Sequence, residues 1–270
     1  MLYEELIHAE PFFLIAGPCV IEDGQVMTQI ADTLVYLAEK YSLPLIFKAS
    51  YKKANRTSET SYSGPGLDQG LCVLQKLKEH YGFPVITDVH ECHEVEAVAE
   101  VCDLIQIPAF LSRQTELLHA AAATGKIVNI KKGQFMAPED MNSATEKITV
   151  KNNYQIMLTE RGSSFGYHNL VVDFRSFAIM SASRYPIVYD VTHSMQKPSI
   201  NRSSGGTPEF ASMMAAAAIA TGKVKGLFLE VHPNPMEALS DAASILPLDQ
   251  LDALLGNCVR IRKALQNQYE

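Results

Sequence analysis

Chemistry in this sequence begins with five cations. Lys48, Lys53, Arg56, Lys131 and Arg161 each stand at or just past the end of a short apolar run. Brought together, they would hold dianionic phosphates and a carboxylate, Arg through its planar fork and Lys as a point charge. Taken singly each is an ordinary solvated surface charge. Five at corresponding places, in a chain of net charge -7, argue for a local anion site. A second set is Cys19, His193, Glu230 and Asp241, which offers a thiol, an imidazole and two carboxylates. Mixed S, N and O donors suit a borderline divalent ion such as Zn, Fe or Mn. Spacing leaves that reading open, because Cys19 is equally a small buried hydrophobe and His232 can stand in for His193.

The elements that must position these residues recur along the chain. Apolar runs rich in β-branched residues occupy Phe12–Ala16, Leu45–Ala49, Val85–Val89, Leu104–Ala109, Ile127–Ile130, Ile156–Thr159, Ile187–Val191 and Leu227–Val231. Helical spacing fills most intervals, as at Val26–Tyr41, Gly66–His80, Cys92–Val101, Arg113–Ala123, Pro208–Thr221 and Leu248–Gln268. Continuous apolar runs are what parallel strands look like when helices cover them. Eight strand–helix units therefore predict one α/β domain over residues 1–270, a closed (β/α)8 TIM barrel. Such barrels react at the carboxyl ends of their strands, where both sets of residues fall. Strands one, seven and eight are neighbours in a closed barrel, so Cys19, His193 and Glu230 converge from distant parts of the sequence. The polar segment from Ser194 to Gly206 reads as a long mobile loop able to cover a ligand.

Several classes are excluded or disfavoured. A doubly wound sheet would carry a Gly-rich turn after the first strand, and Ala16-Gly17-Pro18-Cys19 is not one. An acidic chain is a poor general nucleic-acid binder. Five scattered cysteines suit a reducing cytosol rather than a disulfide framework, and no run is long enough for a membrane span or has the flanks of a signal peptide. His80, His119 and His168 read as solvated, and Cys92, His93 and Cys102 as packing or surface residues. The Met213-Met214 and Ala215–Ala218 stripe reads as a helix packed on the barrel.

Ten motifs in order make the sequence specific. Ala16-Gly17-Pro18-Cys19, Phe47-Lys48-Ala49-Ser50, Lys53-Ala54-Asn55-Arg56, Ile86-Thr87-Asp88-Val89-His90, Ile107-Pro108-Ala109-Phe110-Leu111, Lys131-Lys132-Gly133-Gln134-Phe135, Arg161-Gly162, Phe165-Gly166-Tyr167, Asp190-Val191-Thr192-His193 and Glu230-Val231-His232-Pro233 together resemble the 3-deoxy-D-manno-octulosonate 8-phosphate synthases. The sister 3-deoxy-D-arabino-heptulosonate 7-phosphate synthases carry Lys-Pro-Arg-Thr where this chain has Lys53-Ala54-Asn55-Arg56. Cys19, in place of the Asn of metal-independent members, is similar to the metal-dependent branch, and Asp241 within Leu239-Ser240-Asp241-Ala242 matches that branch.

The resemblance implies condensation of phosphoenolpyruvate with D-arabinose 5-phosphate and water, a step of lipopolysaccharide (Kdo) biosynthesis, in a cytoplasmic homotetramer. It assigns Lys53, Lys131 and Arg161 to the phosphate and carboxylate of phosphoenolpyruvate, with Lys48, Ser50 and Gln134 nearby. Asn55, Arg56 and Thr57 take the sugar phosphate, helped by Arg113 of a neighbouring subunit, and Asp88 holds sugar hydroxyls. Cys19, His193, Glu230 and Asp241 ligate a divalent ion, with no organic cofactor, nucleic acid or membrane involved. A hairpin capping the barrel bottom would be reduced, since the N-terminus is brief. The alternatives are the erythrose 4-phosphate enzyme, a Schiff-base aldolase acting through Lys131, and a non-catalytic sugar-phosphate sensor.

Overall fold

A computed structural model describes residues 1–55, 61–198 and 205–266. Eight parallel strands form its centre: β1 (Phe13–Gly17), β2 (Leu45–Lys48), β3 (Val85–Asp88), β4 (Leu104–Ile107), β5 (Ile127–Lys131), β6 (Ile156–Glu160), β7 (Ile187–Asp190) and β8 (Val224–His232). Each pairs with the next, and β8 also pairs with β1, setting Phe13 opposite Gly226 and Gly17 opposite Glu230. The sheet therefore closes, as the eight apolar runs predict. Closure brings the ends of β1, β7 and β8 side by side.

Helices follow every strand: α1 (Gly24–Tyr41), α2 (Leu67–Tyr81), α3 (Val95–Val101), α4 (Thr115–Ala123), α5 (Met141–Thr149), α6 (Arg175–Ser181), α7 (Ala211–Ala220) and α8 (Leu251–Gln266). The Asp23 side chain caps α1 by accepting from the Gln25 amide at 2.9 Å, filling one of the orphan donors of the first turn. Sequence periodicity does not reveal α5 and α6. Both are short, and Asn142, Ser143, Thr145 and Thr149 in α5 are weak helix formers; Met141, Ala144 and Ile148 fix that helix by burial instead. On α7 the expected packed stripe is narrower than the sequence suggests: Ala215, Ala218 and Ile219 are buried, but Met213 faces solvent.

Strand side chains alternate inward and outward. Outward residues such as Leu14, Phe47, Ile105, Val128, Leu158 and Leu229 join the large core beneath the helices. Inward residues at the amino-terminal end form a second apolar cluster, including Phe13, Ile15, Ile46, Ile86, Met157, Val188 and Phe228. The bottom of this cluster is closed by a helix at Leu2–Ile7, whose Leu6 is fully buried in it. Burying each such side chain contributes roughly 1.5–3 kcal/mol.

One layer higher the inward positions become polar. Lys48, Asp88, Gln106, Asn129, Lys131, Thr159, Asp190 and Glu230 are all at most 8% exposed. Such burial is tolerable only if the groups satisfy one another. The described ends of the segment after β7 carry regular structure. Val191–Ser194 makes a helical turn, and Gln196–Lys197 pairs antiparallel with Gly205–Gly206. Residues 199–204 lie outside the described residues, as do Arg56 and Thr57.

Candidate active site

The polar layer opens into a cavity of about 670 Å³ lined by Lys48, Lys53, Asn55, Asp88, Lys131, Gln134, Arg161, His193 and Asp241, among others. Nine residues expected at the site from sequence thus meet at one mouth. Arg113 is exposed and does not line the cavity; its carbonyl accepts from Lys147 at 2.9 Å. Ser50 is buried, and its hydroxyl donates to Asp88.

Close approach of β1 and β2 depends on Gly17. A Cβ there would fall 2.0 Å from the Lys48 carbonyl oxygen. With that approach allowed, Lys48 reaches across and donates to Glu230 at 2.6 Å and to the Cys19 carbonyl at 3.2 Å. Lys53 stands 3.6 Å from the same Glu230 oxygen. Lys131 is paired with Asp190 at 2.8 Å and lies 4.0 Å over the Phe228 ring. The mouth is therefore not a simple positive pocket. Lys48 and Lys131 are committed to carboxylates, and both are nearly inaccessible.

Arg161 is different. Its Nη2 donates to Gln196 Oε1 at 2.9 Å, while its buried Nη1 finds no hydrogen-bond partner among the described residues. The buried Oε1 of Gln134 is likewise unpartnered there. An unpaired buried donor on a guanidinium is costly, and an incoming anion relieves it. Burial lowers the pKa of Arg161, with Asp190, Glu160, Asp241 and Glu230 opposing that shift. For Lys53, the negative groups around it outweigh burial and raise its pKa well above the usual lysine range.

Across the cavity, Asp88 ends a chain of hydrogen bonds that sequence reading does not reveal. Thr159 donates to Asn129 Oδ1 at 2.6 Å, Asn129 donates to Gln106 Oε1 at 3.0 Å, and Gln106 donates to Asp88. With Ser50 donating from the other side, each donor is directed toward the Asp88 carboxylate. Burial alone would raise the Asp88 pKa, but Lys48, Lys53 and Lys131 outweigh it and hold the carboxyl far below its ordinary range. A sequence signal existed. Gln106 and Asn129 interrupt otherwise apolar strands at inward positions, where a polar residue must have a partner.

The thiol–imidazole–carboxylate set also assembles. Cys19, Glu230 and Asp241 each bring a donor atom within 4.8 Å of the others. His193 Nε2 lies 3.6 Å from Glu230 Oε2 and 4.0 Å from Asp241 Oδ2. His193 Nδ1 is meanwhile 2.9 Å from Asp190 Oδ2, which leaves Nε2 as the nitrogen turned to the cluster. His232 is engaged elsewhere: its Nδ1 accepts from the Asn234 amide at 3.0 Å, and its Nε2 faces Glu22 at 3.4 Å. Glu230 Oε2 is buried without a hydrogen-bond partner among the described residues. Burial raises the Cys19 pKa strongly, reinforced by Glu230, and its thiol donates to Ser240 at 3.1 Å. A donor set of S, N, O and O with an orphaned carboxylate oxygen fits a divalent cation. Asp241 adopts φ 50°, a left-handed backbone that Asp tolerates better than most side chains.

The chain matches the DAHP synthetase I family over residues 8–267. It is 53% identical over 246 residues to the 2-dehydro-3-deoxyphosphooctonate aldolase of Pelobacter propionicus, covering 91% of this chain and 90% of that protein. The protein of the same name from Geobacter metallireducens is 53% identical over 248 residues, 92% of this chain and 91% of its own. That of Cyanothece sp. is 51% identical over 257 residues, 95% and 94%. With the closed barrel and the ordered mouth in agreement, the chain belongs to the DAHP synthetase I family and, within it, to the 2-dehydro-3-deoxyphosphooctonate aldolases.

Proposed function

We propose that this enzyme condenses phosphoenolpyruvate with D-arabinose 5-phosphate and water, giving 3-deoxy-D-manno-octulosonate 8-phosphate and inorganic phosphate, the step that serves Kdo and lipopolysaccharide synthesis. The observation that carries the reading is the pairing of Arg161, with its unpartnered Nη1, and Lys53 on one cavity whose other wall is the ionised Asp88. Anionic substrate groups meet Arg161 and Lys53, and sugar hydroxyls meet Asp88.

In the reaction a new bond forms between C3 of phosphoenolpyruvate and the aldehyde carbon of the sugar. Water adds to C2, and phosphate leaves with cleavage of the C2–O bond. Arg161, Lys53 and Gln134 bind the phosphate and carboxylate of phosphoenolpyruvate, so the enol carbon is held at attacking distance. Lys131, buried against Asp190, supplies positive charge beside the reacting atoms without drifting into solvent. Asn55 lines the cavity, and by the resemblance it would take the sugar phosphate together with Arg56 and Thr57, which lie outside the described residues. Asp88 accepts from sugar hydroxyls in a rotamer set by Gln106 and Ser50. Cys19, His193, Glu230 and Asp241 would hold a Zn, Fe or Mn type ion, in keeping with the resemblance to the metal-dependent branch. Such an ion supplies Lewis acidity at the mouth.

The test is phosphate release from phosphoenolpyruvate with each aldose phosphate. Turnover with arabinose 5-phosphate and little with erythrose 4-phosphate is expected; the reverse preference moves the chain to the sister activity. Lowering of the Lys131 pKa by burial also favours a Schiff-base reading, which borohydride trapping of substrate on Lys131 would establish in place of this one.

A homotetramer and a cytoplasmic location belong to the same proposal. Phe110, which lines the cavity, and Phe135 are exposed large apolar side chains that a second copy would cover. All five cysteines are free thiols, and no helix among the described residues is long and apolar enough to cross a membrane. Light scattering after gel filtration reads the subunit number directly.

A further inference from the structure

Gln196 was assigned no part by sequence or resemblance, yet it touches both halves of the site. Its Oε1 accepts from Arg161 Nη2 at 2.9 Å, and its Nε2 donates to Asp241 Oδ2 at 3.1 Å. A guanidinium only donates and a carboxylate only accepts, so a side-chain amide is what can join them with both bonds satisfied. The direction of the amide follows from the same chemistry. Gln196 is 9% exposed. Its main chain pairs with Gly206, where a Cβ would lie 2.6 Å from the Ala243 carbonyl and 2.8 Å from Ser244 Cβ. The side chain therefore binds the loop that carries Asp241, and the main chain binds Gly206, which packs against that same loop.

We propose that Gln196 is a positioning residue that couples the anion clamp at Arg161 to the carboxylate of Asp241. This rests on the reading of Arg161 as the phosphoenolpyruvate clamp and Asp241 as a cation ligand. Donation from Arg161 polarises the amide and strengthens its bond to Asp241. An anion taking up the guanidinium weakens that polarisation, and Asp241 becomes a better ligand. Anion and cation then favour one another by more than their direct attraction, and by linkage the effect is reciprocal.

Calorimetry of phosphoenolpyruvate binding to the chelator-treated protein, and to the same protein loaded with Mn²⁺, measures the coupling as a ratio of dissociation constants. The unsubstituted protein is expected to bind phosphoenolpyruvate about fivefold or more tightly with Mn²⁺ present. Gln196→Leu removes both bonds at nearly constant size, and the ratio should fall by about threefold or more. Gln196→Glu keeps the acceptor for Arg161 but sets a like charge beside Asp241, so Mn²⁺ binding should weaken and the ratio collapse as well. Circular dichroism checks that each variant is folded, and either one suffices. Ratios within about twofold of the unsubstituted protein, with Mn²⁺ still bound, would overturn the coupling and leave the site reading intact. Failure of the unsubstituted protein to bind Mn²⁺, Zn²⁺ or Fe²⁺ at all would overturn the cation site and the coupling together.

Discussion

His193 Nδ1 sits 2.9 Å from Asp190 Oδ2, and this contact decides which face of the imidazole looks into the mouth. Asp190 also holds the His193 amide at 2.9 Å and the Lys131 ammonium at 2.8 Å, so one carboxylate at the end of β7 orients a candidate ligand and a candidate catalytic cation.

Asp190→Asn keeps the shape and removes the charge. Divalent-cation affinity is expected to fall by roughly 10–100-fold, the usual effect of losing a carboxylate behind a ligating histidine. Burial already lowers the Lys131 pKa, and Asp190 is the first of the groups that oppose the shift. Without it Lys131 loses its proton at still lower pH. The alkaline limb of the kcat/KM profile should therefore move down in the variant. An unmoved limb would separate Lys131 from catalysis.

Exhaustive chelation is expected to abolish phosphate release, with recovery on adding Mn²⁺ or Zn²⁺. Cys19→Asn should lower the metal found per chain by elemental analysis while leaving some turnover. Full activity in the chelated protein would remove the ion from the reaction.

Truncating the relay behind Asp88 tests positioning. Asn129→Leu leaves Gln106 and Thr159 each short of a buried partner, a loss of about 1–3 kcal/mol per orphaned group. Asp88 would then be held less firmly, so KM for arabinose 5-phosphate should rise more than KM for phosphoenolpyruvate. Equal changes in both would mean that the relay is only structural.

Acid sensitivity follows from the same residue. The folded pKa of Asp88 lies below its unfolded value, so its contribution to stability is present above about pH 4 and is lost as pH falls through that value and below. Thermal unfolding midpoints of the unsubstituted protein should drop below about pH 4, and Asp88→Asn should make that drop shallower. Identical slopes in the two proteins would count against the ionised, lysine-compensated state of Asp88.

Gly17→Ala forces a methyl into the space 2.0 Å from the Lys48 carbonyl. Backbone must move, at a cost of about 1–3 kcal/mol, and Lys48 moves with it away from Glu230. Lower stability together with weaker cation binding is expected, measured by thermal unfolding and by metal titration. A stable variant with unchanged metal affinity would show that β1 and β2 need not approach so closely.

Much of this protein is determined locally. Eight apolar runs separated by helical spacing specify the barrel, because strands buried on both faces must be continuously apolar and a parallel pair needs a helix to return the chain. Residues at the ends of those runs are legible as the site for the same reason: Lys53, Asp88, Lys131, Arg161, His193 and Glu230 stand where the strands stop. What periodicity cannot supply is pairing. Lys48 reads as a clamp, but closure of β1 on β8 turns it to Glu230. His193 and His232 are equivalent on paper until Asp190 and Glu22 hold one ring in the mouth and the other outside it. Gln106, Asn129, Thr159 and Gln196 carry no charge to draw notice, and their roles exist only through partners as many as 45 residues away in the chain. Secondary structure follows from neighbours in sequence, whereas a hydrogen bond between strands follows from tertiary register, which only the closed barrel decides.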